Sequence, residues 1–415
     1  MSRGLMLWNA LMLLVIFKQS GYMQALWYIY PDSPIYGKDF YASWLIQSRM
    51  MLDGAFADIW VPQLNEAWQR AHGIRPLFNE CPYPPLLAIL TMPLTGFEVR
   101  TAVDILLYVN MTLGLLSGTA LTAWALGPRA RTPSGAVTAL FTGIAFTLGA
   151  PNFDTLVSGQ AGLLTLSLTG LFAWAFSAQR PRLAAAILSL AVSLKVYPAI
   201  FLLWPLMRRD WKFLGWFSLG MLVWTLPVWL VAGRHCPELL LTYITKVAPR
   251  AAAVSAQDAY TNQSVANVLG RWTGNHGLGR LISLAVLGLG AATVYRLPHH
   301  RRGLFHAMAL CSLLQLLALG RSWPHYHGVL FLAGVCLWKA EARHNLHLFW
   351  FLCAGIVYHF LMTGEFTDEA TWFRVRLPLF EAGVPCWITL ALFLGLAGFI
   401  WTNDWKSEPA HQRAN

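Results

Sequence analysis

Apolar segments of roughly membrane-spanning length follow one another along almost the whole chain of 415 residues. A spanning helix needs about 20 predominantly apolar residues. Hydrophobic residues make up 56% of this chain and charged residues 12%, whereas an ordinary soluble domain carries about 25% charged residues. The sequence therefore predicts an all-α polytopic membrane protein, a single domain over residues 1–415 with about twelve crossings, and it excludes an ordinary soluble enzyme.

Positive charge is unevenly distributed between the predicted loops. One set of short loops is rich in Lys and Arg and nearly free of acids, which is the cytoplasmic signature of membrane proteins. This asymmetry explains most of the net charge of +11, so no nucleic-acid partner is expected. Both termini are predicted to be cytoplasmic, in an integral multi-pass protein of a bacterial cytoplasmic membrane.

The long loops on the opposite side carry most of the remaining acids and aromatic residues. In the first, residues 31–85, apolar residues at helical spacing over 39–52 and 61–71 predict two amphipathic helices along the membrane surface. Residues 233–277 form a second large outer loop, and residues 86–97 a re-entrant or interfacial segment. The functional face is therefore predicted to be extracytoplasmic.

Asp39 precedes the first of these predicted surface helices. Aspartate is among the best helix N-cap residues, and this structural interpretation is strong. The functional alternative is a general base that removes a proton from an acceptor hydroxyl just outside the bilayer.

Lys195 lies in a long apolar segment, residues 183–207, which is predicted to be a broken hairpin turning at residues 195–198. A lysine at membrane depth is costly and normally faces a polar cavity or a partner. Snorkelling to the interface is the alternative, but Pro198 breaks the helix here. A cation at a broken helix suits an anion such as a phosphate.

Two further polar motifs lie at the predicted outer face. In the first, Asn262 precedes a predicted helix over residues 263–271, whose Arg271 is either an anion clamp or an interfacial anchor. The second enters a membrane segment and is either a phosphate or sugar contact or part of the aromatic belt; it contains Arg321, Trp323, His325 and His327.

No metal or other cofactor is expected. The two histidines of the last motif are spaced i, i+2, which is not a zinc pattern, and the six cysteines show no paired ligand spacing. Cys81 and Cys236 both lie in predicted outer loops, where a disulfide bond between them is one alternative.

One carboxylate facing several cations at a membrane surface describes a site for transfer from a lipid phosphate. A glycosidase needs a second carboxylic acid because an alkoxide leaves poorly. A phosphate leaves as a stable anion, so one base and positive charge are enough. Because nucleotide sugars are absent outside the cell, the donor is expected to be a polyprenyl-linked sugar.

The order of these motifs resembles glycosyltransferase family 87. The residues that carry the resemblance are Asp39-Phe-Tyr-x-x-Trp, Tyr83-Pro-Pro, Gly159-Gln160, Lys195-x-x-Pro followed by Arg208-Arg209, Asn262-Gln-Ser with Arg271, and Ser322-Trp-Pro-His325. Many members of this family read Gly-Gln-x-Asn, whereas Ala161 and Gly162 follow Gln160 here.

The resemblance implies a GT-C fold and an inverting enzyme of the cell envelope that uses a polyprenyl-phosphate sugar, typified by mannosyltransferases. It implies that Asp39 is the base and that Lys195 and a histidine, His325 or His327, line the donor phosphate pocket. Tyr83, Gln160, Asn262, Arg321 and Trp323 are further candidates for substrate binding. Mannosyl and arabinofuranosyl transfer both occur in related enzymes.

Three functions remain open from the sequence. The first is the glycosyltransferase, with a glycolipid or glycan acceptor and membrane lipids around it. The second is a transporter or flippase of a lipid-linked sugar, which needs the cations but no base; the missing inverted repeat and the patterned first loop favour the enzyme. The third, a structural membrane subunit, leaves Lys195 and the histidine motif without a purpose.

Overall fold

The protein is all-helical in the part of the chain that the computed structural model describes, and no strand occurs there. The described residues are 6–17, 37, 39–56, 58–72, 83–249, 262–318, 322, 324–341, 353–358 and 377–403. The α-helices are α1 (Met6–Phe17), α2 (Ile46–Leu52), α3 (Pro62–Ala71), α4 (Pro85–Thr91), α5 (Val99–Leu126), α6 (Pro133–Leu148), α7 (Ala150–Ser158), α8 (Gly162–Ser177), α9 (Pro181–Leu194), α10 (Leu203–Met207), α11 (Trp211–Ala232), α12 (Cys236–Thr242), α13 (Val265–Thr273), α14 (His276–Arg296), α15 (Arg301–Ala318), α16 (Val329–Glu341), α17 (Leu377–Glu381) and α18 (Val384–Thr402).

Four helical runs within the described ranges are long and apolar enough to cross a membrane; they are Val99–Arg131, Trp211–Val247, His276–Arg296 and Val384–Thr402. The pair α6 and α7, bent by 54°, makes a fifth span if it is counted as one. Shorter apolar helices accompany them. The chain is therefore a helical membrane protein, as predicted, while the number of about twelve crossings stays a prediction.

Helix α15 forms the centre of the helix bundle. Every residue from Gly303 to Leu317 is buried, and α15 packs against α14, α16 and α18. Near its N-terminus, Arg302 donates a hydrogen bond of 2.7 Å to the fully buried carboxylate of Glu341. A buried charge requires such a partner, so this ion pair joins α15 to α16.

The first outer loop is helical where it was predicted to be helical, but its first helix faces the protein interior. A π-helical turn, Phe40–Leu45, continues directly into α2. Phe40, Trp44 and Met50 are at most 1% exposed. Their cluster includes apolar residues of α4, α5 and α11, so the apolar stripe predicted to face lipid packs against other helices instead.

The predicted break in the segment around Lys195 is confirmed. Helix α9 ends at Leu194, and Lys195 has an extended backbone with φ −158° and ψ 122°. A 3₁₀ turn, Tyr197–Leu202, follows before α10. Pro198 prevents α9 from continuing because it lacks the N–H group that would donate to the Leu194 carbonyl, and it lies instead in the first turn of the 3₁₀ helix, where proline is tolerated.

The second large outer loop is more helical than predicted. After α11 the chain turns at Gly233, whose φ is +53°, and continues through α12 and a π-helical turn, Tyr243–Val247. The helix predicted over residues 263–271 is confirmed as α13, and Ser264 caps it by accepting a hydrogen bond from the Asn267 N–H.

Candidate active site

The carboxylate of Asp39 points to Gln160 and not to the helix that Asp39 precedes. Asp39 makes no side-chain capping hydrogen bond. Instead its Oδ2 accepts a hydrogen bond from Nε2 of Gln160, which is 121 residues away in the chain. Asp39 therefore occupies the N-cap position of the π-helical turn without the capping hydrogen bond, and its carboxylate contacts Gln160 instead.

Gln160 joins Asp39 to Lys195 through a single amide group. Its Oε1 accepts hydrogen bonds from Tyr83 Oη at 2.6 Å and from Lys195 Nζ at 3.2 Å. An ammonium group only donates, so the amide oxygen must face Lys195 and the amide NH₂ must face Asp39. The network thus fixes the orientation of the amide, with its NH₂ group donating to Asp39 Oδ2.

The backbone around Gln160 positions this network. Gly159 ends α7 with φ +72°, and a Cβ atom there would lie 2.8 Å from the Cβ of Phe40. Gly37 donates its N–H to the carbonyl of Val157 at 2.7 Å. Asn110 donates to the Gln160 carbonyl at 3.1 Å. Glycine at 159 therefore permits the first outer loop to dock against the end of α7.

The ammonium group of Lys195 lies among three aromatic rings. Its Nζ is 5.4 Å from the ring centroid of Tyr83, 5.3 Å from that of Tyr197 and 4.6 Å from that of Tyr326. Lys195 is only 5% exposed. Cation–π attraction of this kind partly replaces the hydration that a buried ammonium group loses.

Tyr326 connects Lys195 to the late histidine motif. It belongs to the 3₁₀ turn Pro324–Gly328, which packs on α7 and α8. His327 in the same turn is 1% exposed, and its Nε2 lies 3.4 Å from Ser322 Oγ. The structure therefore brings four of the sequence-predicted regions together, at Asp39, Gln160, Lys195 and His327.

The Asn262 motif is joined to the same late turn. The Oδ1 atom of Asn262 accepts hydrogen bonds from the N–H groups of Ser322 at 3.0 Å and Ser264 at 3.1 Å. The Gln263 N–H donates to the Ser322 carbonyl at 2.7 Å. Asn262 thus holds the start of the histidine turn, which is a positioning contact.

Arg271 donates to backbone carbonyl groups, to that of Asn262 at 3.2 Å and to that of Phe380 at 3.0 Å. These contacts tie α13 to α17, and the predicted contact of Arg271 with a phosphate stays a prediction. Arg321, Trp323 and Cys81 lie outside the described residues, as does the side chain of His325.

Three members of the site were missed in the sequence. Tyr197 and Tyr326 stand beside residues that were singled out, Lys195 and the two histidines, but a tyrosine near a membrane interface is ordinary. Asn110 is an amide within the apolar helix α5, which is the signal that could have identified it.

A model of a known protein family matches the part of the chain that contains most of these motifs. The model of glycosyltransferase family 87 matches residues 82–320. The chain belongs to glycosyltransferase family 87. It is therefore a glycosyltransferase, which favours that interpretation over a transporter or flippase. Searches among curated proteins and among solved structures gave no match.

The family 87 match includes Tyr83, Gln160 and Lys195, whereas Asp39 precedes it. The hydrogen bond between Gln160 and Asp39 attaches this preceding segment to the matched region. The contacts thus place the first outer loop within the same site as the family core.

In this family 87 enzyme, Gln160→Glu should lower kcat by about 100-fold. The new carboxylate would face Asp39, and two carboxylates in contact share a proton, so Asp39 would no longer act as a base. Steady-state transfer rates measure the effect. Gln179→Glu, which makes the same change at an exposed position, is the matched control. A Gln160→Glu enzyme that keeps more than half of its activity would contradict the amide bridge.

Proposed function

We propose that the protein transfers mannose from a polyprenyl-phosphate donor to a lipid or glycan acceptor, with inversion at the anomeric carbon. The observation that carries the proposal is the Gln160 amide, which joins the Asp39 carboxylate to the Lys195 ammonium group. Membership of family 87 supports glycosyl transfer. A base beside a buried cation supports a donor whose leaving group is an anion.

The proposed reaction is a single displacement. Asp39 takes the proton of the acceptor hydroxyl, and the acceptor oxygen forms a bond to the anomeric carbon. The bond from that carbon to the phosphate oxygen breaks at the same time, and its electron pair leaves with the polyprenyl phosphate. Because this leaving group is already a stable anion, no second carboxylic acid is needed.

Lys195 is proposed to stabilise the departing phosphate. Its ammonium group contacts the Gln160 amide and three tyrosine rings, which hold it beside Asp39. We assign further contacts with the donor phosphate to Arg271, His325 and His327, and contacts with the sugar or acceptor to Tyr83, Gln160, Asn262, Arg321 and Trp323.

The active site is proposed to face the extracytoplasmic side of a bacterial cytoplasmic membrane, with both termini in the cytoplasm. The support is the charge asymmetry of the loops, since Lys and Arg concentrate in the short loops opposite Asp39. Membrane lipids surround the helices, and the donor reaches the site by its lipid chain.

Transfer by the purified protein in detergent tests the proposal. We expect polyprenyl-phosphate mannose to be used and nuclear magnetic resonance to show an inverted anomeric centre in the product. A polyprenyl-phosphate arabinofuranose donor is the comparison arm for the sugar. Transfer without vesicles excludes pure transport. A retained configuration, or use of a nucleotide sugar instead, would contradict the proposal.

Activity should be independent of divalent metal ions. Within the described ranges, no group of three or more His, Cys, Asp or Glu residues is placed to hold a metal ion. In the proposed reaction the positive charge of Lys195 stabilises the leaving phosphate, which a metal ion does as a Lewis acid in other enzymes. Transfer rates with and without a chelator should agree within about twofold, and a loss restored by added Mg²⁺ or Mn²⁺ would refute this.

A further inference from the structure

An open groove lies at the end of the helix bundle where α14 and α18 finish side by side. It has a volume of about 490 Å³ and is lined by Met207, Ala291, Ala292, Tyr295, Arg296 and Trp401. This volume is within the range of about 300–1,000 Å³ that is usual for small-molecule sites. Ala292, Tyr295 and Trp401 are exposed, so the groove opens to the surroundings of the bundle and not into its core.

The groove extends from the hydrocarbon core of the membrane to its boundary. Helix α14 is an unbroken candidate span of 21 residues, which corresponds to about 31 Å of helix, and the hydrocarbon core is about 30 Å thick. Arg296, the last residue of α14, is therefore placed at the boundary. Ala291 and Ala292 precede it by about one helical turn and are placed within hydrocarbon. Lipid chains fill a groove at this depth, because alanine side chains offer water no hydrogen-bond partner.

Arg296 is held at the boundary end of the groove by Trp401. Its guanidinium group lies 4.8 Å from the centroid of the Trp401 ring, and its Nη2 donates to the Trp401 carbonyl at 3.1 Å. The indole N–H of Trp401 in turn donates to Thr293 Oγ1 at 3.0 Å. A guanidinium group that stacks on a ring still presents N–H donors at its edge, in a fork that matches a phosphate. Arg296 is thus preorganised for an anion at the height of the lipid head groups.

Further positive charge flanks the same end of the groove. Arg208 and Arg209 follow Met207 of the groove wall, and Arg209 is exposed. Arg208 donates hydrogen bonds of 3.1 and 3.4 Å to carbonyl groups at the end of α14. None of the described lining residues is acidic, and the nearby Asp210 caps α11 through its side chain. The boundary end of the groove therefore attracts an anion.

The groove is separate from the catalytic network. At its other end α14 packs on α13, where a Cβ atom on Gly279 would lie 2.2 Å from the Ala266 carbonyl oxygen. Helix α13 follows Asn262, which accepts a hydrogen bond from Ser322 before the histidine turn. The length of α14, about 31 Å, thus lies between this motif and Arg296. The occupant of the groove is therefore not the reacting end of either substrate.

We propose that this groove binds an anionic phospholipid, whose phosphate contacts Arg296 and whose acyl chain lies over Ala291 and Ala292. A zwitterionic phospholipid has the same chains and phosphate but adds a cation, which Arg296 and the neighbouring arginines repel. Charge therefore sets the preference for an anionic head group, and the apolar floor contributes affinity for either lipid. In the orientation proposed above this is the cytoplasmic leaflet. The site is independent of the reaction proposed at Asp39.

Native mass spectrometry of the full-length protein in detergent, titrated with lipid, tests the head-group preference. The probes are phosphatidylglycerol and phosphatidylcholine with the same acyl chains. We expect the wild type to bind phosphatidylglycerol about tenfold more tightly and Arg296→Gln to lose most of that preference, because a charge-assisted contact is removed. Equal binding of both lipids by the wild type, or an unchanged preference in Arg296→Gln, overturns the proposal.

Arg182→Gln is the matched control for this charge. The Arg182 guanidinium group also lies 4.8 Å from the centroid of a tryptophan ring, that of Trp216, but outside the groove. The control removes the same charge and the same kind of stacking, so it should keep the preference for phosphatidylglycerol. A loss as large as that of Arg296→Gln would show that net charge alone governs lipid binding, which overturns the site.

Filling the groove tests its apolar part. Ala292→Trp adds a large ring over the floor without a change in charge, and both lipids should bind about tenfold more weakly because the acyl chain loses its contact area. Leu284→Trp, at an exposed position of the same helix, is the matched control. Phosphatidylglycerol should raise the Tm of the wild type and of this control but not of Ala292→Trp.

Three outcomes of the groove-filling experiment would overturn the lipid as occupant. The first is undiminished phosphatidylglycerol binding by Ala292→Trp. The second is complete displacement of the lipid by inorganic phosphate, which would show an anion site without an apolar part. The third is a wild-type dimer that dissociates in Ala292→Trp, which would make a second copy of the chain the occupant of the groove.

Discussion

Replacing Asp39 by asparagine should lower kcat for sugar transfer by about 1,000-fold, a typical effect for loss of a general base. The carboxamide has nearly the same shape, and its oxygen still accepts the hydrogen bond from Gln160 Nε2. The Gln160 contacts with Tyr83 and Lys195 should therefore persist. Only the ability to take a proton is lost, and initial rates at saturating donor and acceptor measure it.

Asp53→Asn is the matched control, because Asp53 is an exposed aspartate in the same outer loop. This control should keep wild-type rates. Thermal unfolding and donor binding of Asp39→Asn should resemble those of the wild type, which separates loss of chemistry from loss of folding. An Asp39→Asn enzyme that retains more than a tenth of the wild-type rate would remove Asp39 as the base.

Replacing Lys195 by methionine should lower kcat/KM for the donor by about 100-fold, the usual cost of removing one group that stabilises developing negative charge. Methionine is close to the lysine stem in length and apolar, so it can occupy the space among Tyr83, Tyr197 and Tyr326 without a new charge. The loss should appear more in kcat than in KM, because the phosphate gains charge as the bond to the sugar breaks.

Lys246→Met, which removes an exposed lysine near the end of the Trp211–Val247 run, is the matched control and should leave kcat/KM for the donor unchanged. The acceptor KM of Lys195→Met should also stay near the wild-type value. Equal donor kinetics in Lys195→Met and the wild type would show that the ammonium group does not act on the phosphate.

The sequence predicted the charged members of the site because charge is rare in this chain. Asp39 and Lys195 stand out against apolar surroundings, and a charged side chain close to a membrane is costly and usually serves a function. The break after α9 was also predictable, since Pro198 acts through local backbone sterics. The all-helical fold follows from the requirement that a membrane span satisfies its own backbone hydrogen bonds.

Contacts between residues that are far apart in the chain could not be predicted from the sequence. Gln160 was a weak candidate there, yet its amide contacts Asp39, 121 residues away, and Lys195, 35 residues away. Arg271 looks like an anion ligand in the sequence, whereas its described hydrogen bonds go to backbone carbonyls. Such acceptors carry no signal in the residue pattern, because every residue has a carbonyl group.

The π-helical turn after Asp39 makes the position of the carboxylate sensitive to chain length. A π-helical turn accommodates an extra residue in an otherwise α-helical path, and such turns are frequent at functional sites. Successive residues of an α-helix are rotated by about 100°. A one-residue deletion within Phe40–Leu45 would therefore leave α2 in its packed position while it rotates Asp39 away from Gln160. Sequences that lack this residue would keep the helix and lose the bridge between the base and the cation.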